Sequence, residues 1–489
     1  MTSTTVEVVA VPPGWNAWEL LLTDQMPGFA DGEWRALLSL RYLGPTTTIS
    51  LGVALYAFNE FFVSTALPSA VEELGGAALI SWAFTFFLVF AIVGGLAATD
   101  VKARLGARRA LVVSALIFLV GSIITVFAPN MPVLIAGRAL QGFGEGVVAA
   151  ICYALIPVLF PPRLVQKIFG LEAFIWAIAA FSGPLLAGFL TEFLSWRMAF
   201  AFNIAMGTAF IILVFPTVPP GGEADAVAPM PVGRLTLAGG AILLISVAAA
   251  TTPGVAITLS GAAMVMLYAT FRRDRRSKSA ILPATAFRWD DVVGAGLWVI
   301  LLMPLAQAAG AVFMVYGFQF LWGHGPTLAG AWAASLAVAW SGTAILVAMI
   351  PGEVGRLRAI AVSSVLLTFG MVFAAIGVAA HALPLVIVGQ VTMGVGMGLN
   401  WGPLCQLLMD RVGGGVERDR TSAMLPTLQT AGYALGAAIF GLVANLAGFG
   451  DTADMDGART GMVVAYGAAA MVAAIAAVFG FQTVRMAGR

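Results

Sequence analysis

Ionisable side chains are rare inside the long apolar stretches of this 489-residue sequence. Glu60, Arg138 and Glu145 lie within such stretches, and Glu172 lies near the beginning of another. A charged side chain inside a bilayer is costly, so it indicates a function and requires a partner. An apolar environment favours the protonated form of a carboxylate, whereas an adjacent arginine favours the ionised form. We therefore expect Glu60, Arg138 and Glu145 to handle protons, and Glu172 to be solvated or locally paired.

Arg138, Gln141 and Glu145 are spaced so that they form a polar stripe on one face of a helix. Arg138 and Glu145 are separated by about 10 Å along the axis, at ~1.5 Å per residue, which is too far for direct contact. A bridging group is therefore expected between them, and Glu60 is the candidate. The alternative is a static pair of Arg138 with a carboxylate, which would only fix the packing of the helices.

The second half of the sequence has no ionisable residue deep inside its apolar stretches. We infer that the first half handles protons and that the second half shapes a substrate cavity. The predicted cavity residues are polar or aromatic: Asn59 from the first half, and Tyr316, Gln319, Gln390, Asn400, Trp401, Gln429 and Tyr433 from the second.

The composition excludes a soluble globular protein. Hydrophobic residues make up 60% of the chain and charged residues 10%, against roughly 25% charged in soluble domains. A net charge of +1 gives no field that would attract nucleic acid. Two cysteines and two histidines exclude a disulfide framework and a metal cluster. We see no catalytic constellation and no phosphate-binding loop, so we expect neither an enzyme nor an ATP-driven pump.

Stretches of about 20 apolar residues predict an all-α membrane protein with fourteen transmembrane helices in blocks of six, two and six. The first block comprises 46–70, 78–99, 108–129, 132–158, 166–190 and 196–216. The central pair comprises 233–251 and 253–271, and the last block 291–319, 326–350, 357–380, 384–410, 420–447 and 459–484.

This count divides the chain into four parts. Residues 46–216 form a first six-helix half, 217–290 a central insertion with two helices and a basic loop, and 291–489 a second six-helix half. Residues 1–45 form a cytoplasmic segment, for which an interfacial helix and a poorly ordered tail are both open.

Basic residues alternate between the predicted loops as the positive-inside rule requires. With the N-terminus in the cytoplasm, only Arg197 and Arg459 of the loop cations fall outside. Both termini are therefore expected in the cytoplasm, and the protein in the cell membrane.

An internal repeat relates the two six-helix blocks. Residues 132–146 read PVLIAGRALQGFGEG and residues 384–398 read PLVIVGQVTMGVGMG, a shift of 252 positions with four coincident glycines. Gly183 and Gly188 recur at a shift of 253. Two parallel repeats of this kind are expected to hold the substrate site between them.

The sequence from about residue 46 to 485 resembles the major facilitator superfamily, and specifically its fourteen-helix drug:proton antiporter branch. GRALQGFGEG at 137–146 is similar to the proton-coupling motif R-x-x-Q-G-x-G-x-G. AAFSGPLLAG at 179–188 is similar to the antiporter motif G-x-x-x-G-P-x-x-G-G and retains Gly183, Pro184 and Gly188. WRMAFAFN at 196–203 resembles the motif W-R-x-x-F-x-x-N.

Two motifs depart from the family pattern. FNEFFVSTALP at 58–68 resembles L-D-x-T-I-V-N-x-A-L-P, with Asn59 in place of the aspartate and Glu60 next to it. TDVKARLGARR at 99–109 resembles G-x-L-a-D-r-x-G-r-r, with Ala103 at the aspartate and Asp100 one turn earlier. The resemblance implies conformational or gating roles for these residues: Asp100, Arg104, Gly106, Arg108, Arg109, Gly183, Pro184 and Gly188.

The resemblance implies a monomeric secondary transporter that exports an amphipathic or hydrophobic small molecule in exchange for protons by alternating access. It needs no cofactor other than the proton gradient. Uptake of a small organic solute by proton symport, and export of a lipid-like product, remain open. A membrane scaffold or sensor is disfavoured because it would not need Arg138 and Glu145 within the bilayer.

Overall fold

The computed structural model describes residues 34–75, 79–220, 230–248, 251, 253–277, 280–350, 352–449 and 455–488. These residues form thirteen α-helices, one 3₁₀ helix at Trp34–Leu38 and a π-helical turn at Gly317–Leu321, which confirms the all-α prediction. The predicted N-terminal segment before residue 34 and Lys278 of the basic loop lie outside the described residues.

The helices are numbered here in chain order. The first five are α1 (Leu40–Leu74), α2 (Ile80–Val126), α3 (Met131–Leu159), α4 (Pro162–Phe193) and α5 (Trp196–Thr217). The next two are α6 (Val232–Ala248) and α7 (Pro253–Arg275). The last six are α8 (Val292–Tyr316), α9 (Pro326–Val347), α10 (Glu353–Ala379), α11 (Leu383–Arg411), α12 (Val416–Leu446) and α13 (Met455–Ala487).

Short polar connections set where several helices begin. The side chains of Asn130, Ser195 and Asp291 accept hydrogen bonds from backbone N–H groups in the first turns of α3, α5 and α8. Such caps satisfy donors that have no partner within the helix.

Helix α2 contains two of the predicted spans. Its 47 residues are interrupted at Gly106, whose φ of 73° and ψ of 159° are not helical. Glycine adopts this backbone conformation without the steric cost that a side chain would add. The segments 80–105 and 107–126 correspond to the predicted spans 78–99 and 108–129.

Among the described residues, twelve helices are long and apolar enough to cross a membrane. Helix α6 falls short with 17 residues, or about 25 Å against a hydrocarbon core of about 30 Å. Fourteen spans were predicted, and α2 alone accounts for two of them. The structure is therefore that of an all-helical, multi-span membrane protein.

The helix bounds reproduce the repeat found in the sequence. A shift of 252 residues carries Met131 and Leu159, the ends of α3, onto Leu383 and Arg411, the ends of α11. Helix α2 packs against α12, and α4 packs against α9, which is the pairing that the same shift generates. These contacts join the first half (α1–α5) to the second half (α8–α13).

The motif glycines of α3 let it pack directly on both segments of α2. A Cβ at Gly142 would overlap the backbone of Phe87, and one at Gly144 would overlap that of Ser114. Small residues allow such close approach of membrane helices. This packing places the stripe of Arg138 and Glu145 against fixed neighbours.

The central insertion covers the outside of the seam between the halves. Helix α6 packs against α7, α2 and α12. Arg234 at the start of α6 forms an ion pair with Asp274, whose carboxylate also accepts from the backbone N–H groups of Ile281 and Leu282. This contact ties the two helices of the insertion together.

Candidate functional site

Arg138 is completely enclosed in the first half, with 1% of its surface exposed. Its Nη1 donates to Gln141 Oε1 at 2.8 Å and to Asn59 Oδ1 at 3.1 Å, and its Nε donates to the carbonyl oxygen of Ala83 at 3.4 Å. The guanidinium lies 4.1 Å from the centre of the Phe87 ring, a cation–π contact. The buried cation is thus held by neutral groups from α1, α2 and α3.

Asn59 bridges Arg138 and Glu145. Its Oδ1 accepts from Arg138, and its Nδ2 donates to Glu145 Oε2 at 3.0 Å. The expectation of a bridge is confirmed, but the choice of Glu60 for it is wrong. Neighbouring residues on a helix point about 100° apart, so Asn59 faces α3 while Glu60 does not.

Two further polar residues complete this buried network. Gln141 donates to Ser122 Oγ at 2.9 Å, and Asn203 of α5 donates to Asn59 Oδ1 at 3.2 Å. The roles of Asn203 and Ser122 were missed, although Asn203 is the last residue of the WRMAFAFN motif. We call the set Asn59, Ser122, Arg138, Gln141, Glu145 and Asn203 the arginine network.

Glu145 is only half satisfied within the arginine network. It is 2% exposed, and its Oε2 accepts from Asn59, whereas its Oε1 has no hydrogen-bond partner among the residues that the structure describes. Among the described residues it forms no ion pair, with Arg138 or with any other cation. A buried oxygen of this kind is available to a proton.

Glu60 lies on an accessible surface between the halves. Its side chain is exposed, yet it interacts electrostatically with Arg138, with Tyr56 on its own helix and with Tyr433 on α12. Since Glu60 faces both halves and is exposed, we infer that it lines a water-accessible space between them. Glu60 is therefore the accessible carboxylate and Glu145 the enclosed one.

Aromatic residues surround this space. Tyr56 lies 5.7 Å from the ring of Trp176 on α4 and 6.2 Å from that of Phe87. The hydroxyls of Tyr56 and Thr430 are 3.4 Å apart, which connects α1 to α12 across the space. Tyr56 and Trp176 were missed by the sequence analysis, although Tyr56 precedes Glu60 by one helical turn. We call the space bounded by Tyr56, Glu60, Trp176, Thr430 and Tyr433 the central cavity.

The predicted cavity residues are distributed over three environments. Tyr433 and Gln429 are half-buried on α12, whereas Asn59 is enclosed in the arginine network. Gln390 and Asn400 are each 2% exposed within the second half, where Asn400 accepts from Ser363 at 3.3 Å. The structure thus does not gather the predicted cavity set at one place.

The remaining members of the set lie farther along their helices. Tyr316 packs against Phe320 and Phe449 at the end of α8, with Gln319 in the π-helical turn that follows. Trp401 donates to the hydroxyl of Tyr153 at 3.2 Å, in a separate contact between the halves.

Five of the predicted gating residues lie at the end of the bundle that carries the basic loops, which we call the basic end: Asp100, Arg104, Gly106, Arg108 and Arg109. Arg108 Nε donates to the carbonyl oxygen of Val218 at 2.6 Å. The ion pair that joins the halves there is formed by Lys102 and Asp419, at 2.6 Å, which the sequence analysis did not single out. Asp100 interacts electrostatically with Arg104 and with Arg420 of α12, so it belongs to the same charged region.

The glycine–proline motif of α4 contacts α1 beside the central cavity. A Cβ at Gly183 would lie 2.8 Å from Cβ of Phe61, and Pro184 is inside the helix. A Cβ at Gly188 would lie 4.0 Å from Cγ2 of Thr65. The motif therefore permits close packing of α4 on α1.

The family assignment follows from a match of the Major Facilitator Superfamily model to residues 49–437. The chain belongs to the major facilitator superfamily. A probable multidrug-efflux transporter of Mycobacterium tuberculosis is 32% identical over 466 residues, which cover 91% of this chain and 96% of that protein. Multidrug resistance protein 3 of Bacillus subtilis is 28% identical over 164 residues, covering 34% of this chain and 32% of that protein.

Solved structures of the superfamily share the fold. A human organic anion transporter superposes with a TM-score of 0.65 at 13% identity, over 90% of this chain and 99% of that one. A proton:xylose symporter superposes with a TM-score of 0.63 at 17% identity, over 90% and 95% of the two chains. The protein is thus a multi-span membrane transporter with multidrug-efflux relatives, and its family is one of transporters and not of enzymes.

Proposed function

We propose that the protein is a monomeric proton-coupled antiporter that exports an amphipathic small molecule across the cell membrane by alternating access. The observation that carries this proposal is the pairing of an accessible carboxylate, Glu60, with the enclosed Arg138–Asn59–Glu145 bridge behind it. The efflux relatives support export as the direction. The proton gradient supplies the energy, and no cofactor is required.

The central cavity favours a cationic aromatic substrate. Glu60 supplies a negative charge, and the rings of Tyr56, Trp176 and Tyr433 supply faces that attract cations. Gln429 lies on the same helix as Tyr433 and offers a polar contact. Substrate recognition in this proposal depends mainly on the aromatic residues and on Glu60.

We infer that Glu60 is the primary proton carrier and Glu145 its support. A bound cation favours the ionised form of Glu60, whereas the empty, closing cavity favours the protonated form. Proton and substrate therefore lower each other's affinity, and this reciprocal linkage produces antiport. Arg138 keeps a fixed positive charge behind the cavity.

The proposed topology has fourteen spans with both termini in the cytoplasm. The two segments of α2 count as two spans, and α6 and α7 form the central pair. Residues 46–216 and 291–489 are the two halves that move against each other, and 217–290 is the insertion beside their seam. The packing of α6 on both α2 and α12 supports this arrangement.

The proposed cycle passes through the state seen in the structure. The contacts between the halves include Lys102–Asp419 and Trp401–Tyr153 toward the basic end, while Glu60 remains exposed. In the proposed topology this state is closed to the cytoplasm, with the cavity accessible from outside. Gly183, Pro184 and the charged residues at the basic end are the proposed elements that change when the cavity reopens inward.

Substrate-driven proton flux tests this function. The protein is reconstituted in vesicles that contain a pH-sensitive dye, with the membrane potential clamped, and a panel of amphipathic dyes beginning with ethidium is added outside. Antiport predicts that a transported compound raises the internal pH, because protons leave as the compound enters. Symport predicts a fall in internal pH, and a lipid-like substrate predicts no response to any soluble dye.

Arg138→Gln provides the matched variant for this assay. Removing the buried cation leaves Glu145 and Asn59 without their charged neighbour, so proton flux is expected to be lost while the protein still inserts in the membrane. Arg459→Gln, at a partly exposed arginine of α13 whose ion pair is with Asp456 on the same helix, should behave as wild type. Normal flux in Arg138→Gln would show that the motif is only structural.

A further inference from the structure

A second enclosed carboxylate lies between the halves, away from the arginine network. Glu172 of α4 is 2% exposed, and its Oε2 accepts from the hydroxyl of Tyr153 on α3 at 2.8 Å. The same hydroxyl accepts from Trp401 Nε1 at 3.2 Å. Since Trp401 belongs to α11, this chain of hydrogen bonds joins the first half to the second.

Within the part of the chain that the structure describes, no cation compensates Glu172. Its Oε1 has no hydrogen-bond partner, and no arginine, lysine or histidine among the described residues pairs with it. The titratable groups that face it are Tyr153 and Cys152 from α3 and Cys405 from α11. From α1, α5 and α9, no described ionisable residue interacts with it. A carboxylate in this position would be an unpaired buried charge, so the closed arrangement requires a protonated carboxyl.

A polar seam connects Glu172 with the basic end along the contact of α4 with α11. Gln166 lies about one and a half turns before Glu172 on α4, is buried and packs against Gly402 of α11. Among the described residues, neither the oxygen nor the nitrogen of its side-chain amide has a hydrogen-bond partner. Gln406 follows, donating to the carbonyl oxygen of Pro162 at 2.9 Å. It lines a cavity of about 230 Å³ that also contains Asp410 and opens at the surface.

We propose that Glu172 is a second proton-binding site, which holds its proton while the halves are closed at the basic end and releases it to cytoplasmic water when they separate. Separation breaks the Trp401–Tyr153 hydrogen bond and admits water along the seam of Gln166 and Gln406. The O–H bond of the carboxyl then breaks, its proton passes to water, and the carboxylate becomes hydrated. This inference rests on the proposed proton-coupled function and assigns the cytoplasmic release site within it.

The position of Glu172 relative to Glu145 fits two successive sites. Tyr153 follows Glu145 on α3 by eight residues, about 12 Å toward the basic end. Glu60 adjoins the accessible cavity with the enclosed Glu145 behind it, whereas Glu172 lies behind the closed contact. A proton bound from outside and released inside needs an acceptor on each side of that contact.

The native cysteines report the opening of this contact. Cys152 and Cys405 are the only two cysteines in the sequence, and both are fully buried beside Glu172. In a Cys152→Ala background, maleimide labels Cys405 only when the halves separate. The experiment uses the full-length protein in inside-out vesicles. It compares the rate of Cys405 labelling in the protein that retains Glu172 with the rate in the Glu172→Gln variant, whose neutral amide resembles the protonated carboxyl.

The ratio of the two labelling rates isolates the contribution of Glu172, because Cys405 reacts only after the halves separate, when water screens its thiol from residue 172. We expect the ratio of wild type to Glu172→Gln to rise with cytoplasmic pH, by up to about tenfold per pH unit for one linked proton. Glu192→Gln, an exposed carboxylate on the same helix, should track wild type at every pH. A ratio that does not change with pH overturns the proposal.

A second variant keeps the proposal testable if Glu172→Gln does not fold. Tyr153→Phe removes the hydroxyl that holds both Glu172 and Trp401, so labelling of Cys405 should increase at every pH. Unchanged labelling would overturn the proposal. The dye-driven proton flux distinguishes failure of this proposal from failure of the proposed function. If the labelling ratio does not depend on pH but the wild-type protein still shows the flux, only the role of Glu172 is rejected. If the wild-type protein shows no flux, the antiport function is rejected.

Discussion

At the scale of single residues, Asn59 joins two charges that cannot reach each other. Arg138 and Glu145 are two turns apart on α3, and the amide of Asn59 offers an acceptor to one and a donor to the other. An amide does this without adding a charge, so the net charge of the arginine network depends on whether Glu145 is protonated. In the proposed function, that property makes the network responsive to protons.

Asn59→Leu tests this bridge with a side chain of similar size. Arg138 and Glu145 each lose a buried hydrogen bond, which is expected to cost about 1–3 kcal/mol of stability. We expect a lower melting temperature in detergent and loss of dye-driven proton flux. Asn445→Leu, an exposed asparagine on α12, should change neither quantity. Full proton flux in Asn59→Leu would show that the bridge is dispensable.

Helical spacing predicted the stripe of Arg138, Gln141 and Glu145 because their positions on one helix depend only on local geometry. The partner was missed for a physical reason: a neutral amide gives no signal in a search for charges. Glu172 shows the same limit, since its connection to Trp401 runs through Tyr153, and Trp401 is 248 positions from that tyrosine in the sequence. Contacts at such separation depend on the packing of the halves.

At the scale of helices, glycines determine how α3 sits against α2. Gly142 and Gly146 place the α3 backbone against the backbone of Phe87 and Ala91. The same α2 segment supplies the ring and the carbonyl oxygen that hold Arg138. The close packing of α3 on α2 therefore also determines the position of the Arg138 guanidinium.

Gly142→Ala is expected to destabilise the protein by about 1–3 kcal/mol, because the added methyl group forces two backbones apart. Gly467→Ala on α13 is the matched control, since nothing lies within 4 Å of its added Cβ. Thermal unfolding of the two purified variants measures the difference. Equal melting temperatures would contradict the packing described here.

The lengths of the apolar stretches largely predicted which segments form helices, but they did not predict how many helices cross the membrane. The apolar run of α2 continues on both sides of Gly106, and only the positive φ of that residue separates the segments. Helix α6 has an apolar composition but is short, so its depth depends on α2 and α12, against which it packs. These features belong to packing and not to hydropathy.

The insertion makes the topology testable with reporters. Fusions after residue 220 and after residue 277 should report the cytoplasm, and a fusion at residue 250 should report the outer side. Fusions at both termini should be cytoplasmic. If the reporter at residue 250 were cytoplasmic, α6 and α7 would not form a pair of spans and the fourteen-span topology would fail.

At the scale of the whole molecule, the two halves meet by a small number of polar contacts toward the basic end. Lys102 and Asp419 form a partly buried ion pair there, with side chains 17% and 24% exposed. Farther in, the close approach of α2 to α12 is made by Gly95 and Thr427. In the proposed cycle, these contacts hold the closed state and break without unfolding either half.

Charge reversal at Lys102 tests the role of this ion pair. Lys102→Glu places two like charges together, so the halves should separate and labelling of Cys405 should increase several-fold. The double exchange Lys102→Glu with Asp419→Lys should restore the wild-type rate, because it recreates an opposite pair. If the double exchange labels as fast as the single variant, the pair does not hold the closed state.

The central claim is that proton and substrate compete at Glu60, and the pH dependence of substrate binding tests it most directly. Binding of a transported dye is measured by fluorescence polarisation on purified protein from pH 5 to 9, for wild type, Glu60→Gln and Glu72→Gln. Glu72 is an exposed carboxylate on the same helix. The account predicts that binding to wild type and to Glu72→Gln weakens as the pH falls, because protonation neutralises the site, while Glu60→Gln binds measurably and with no pH dependence. Retained pH dependence in Glu60→Gln would contradict the account.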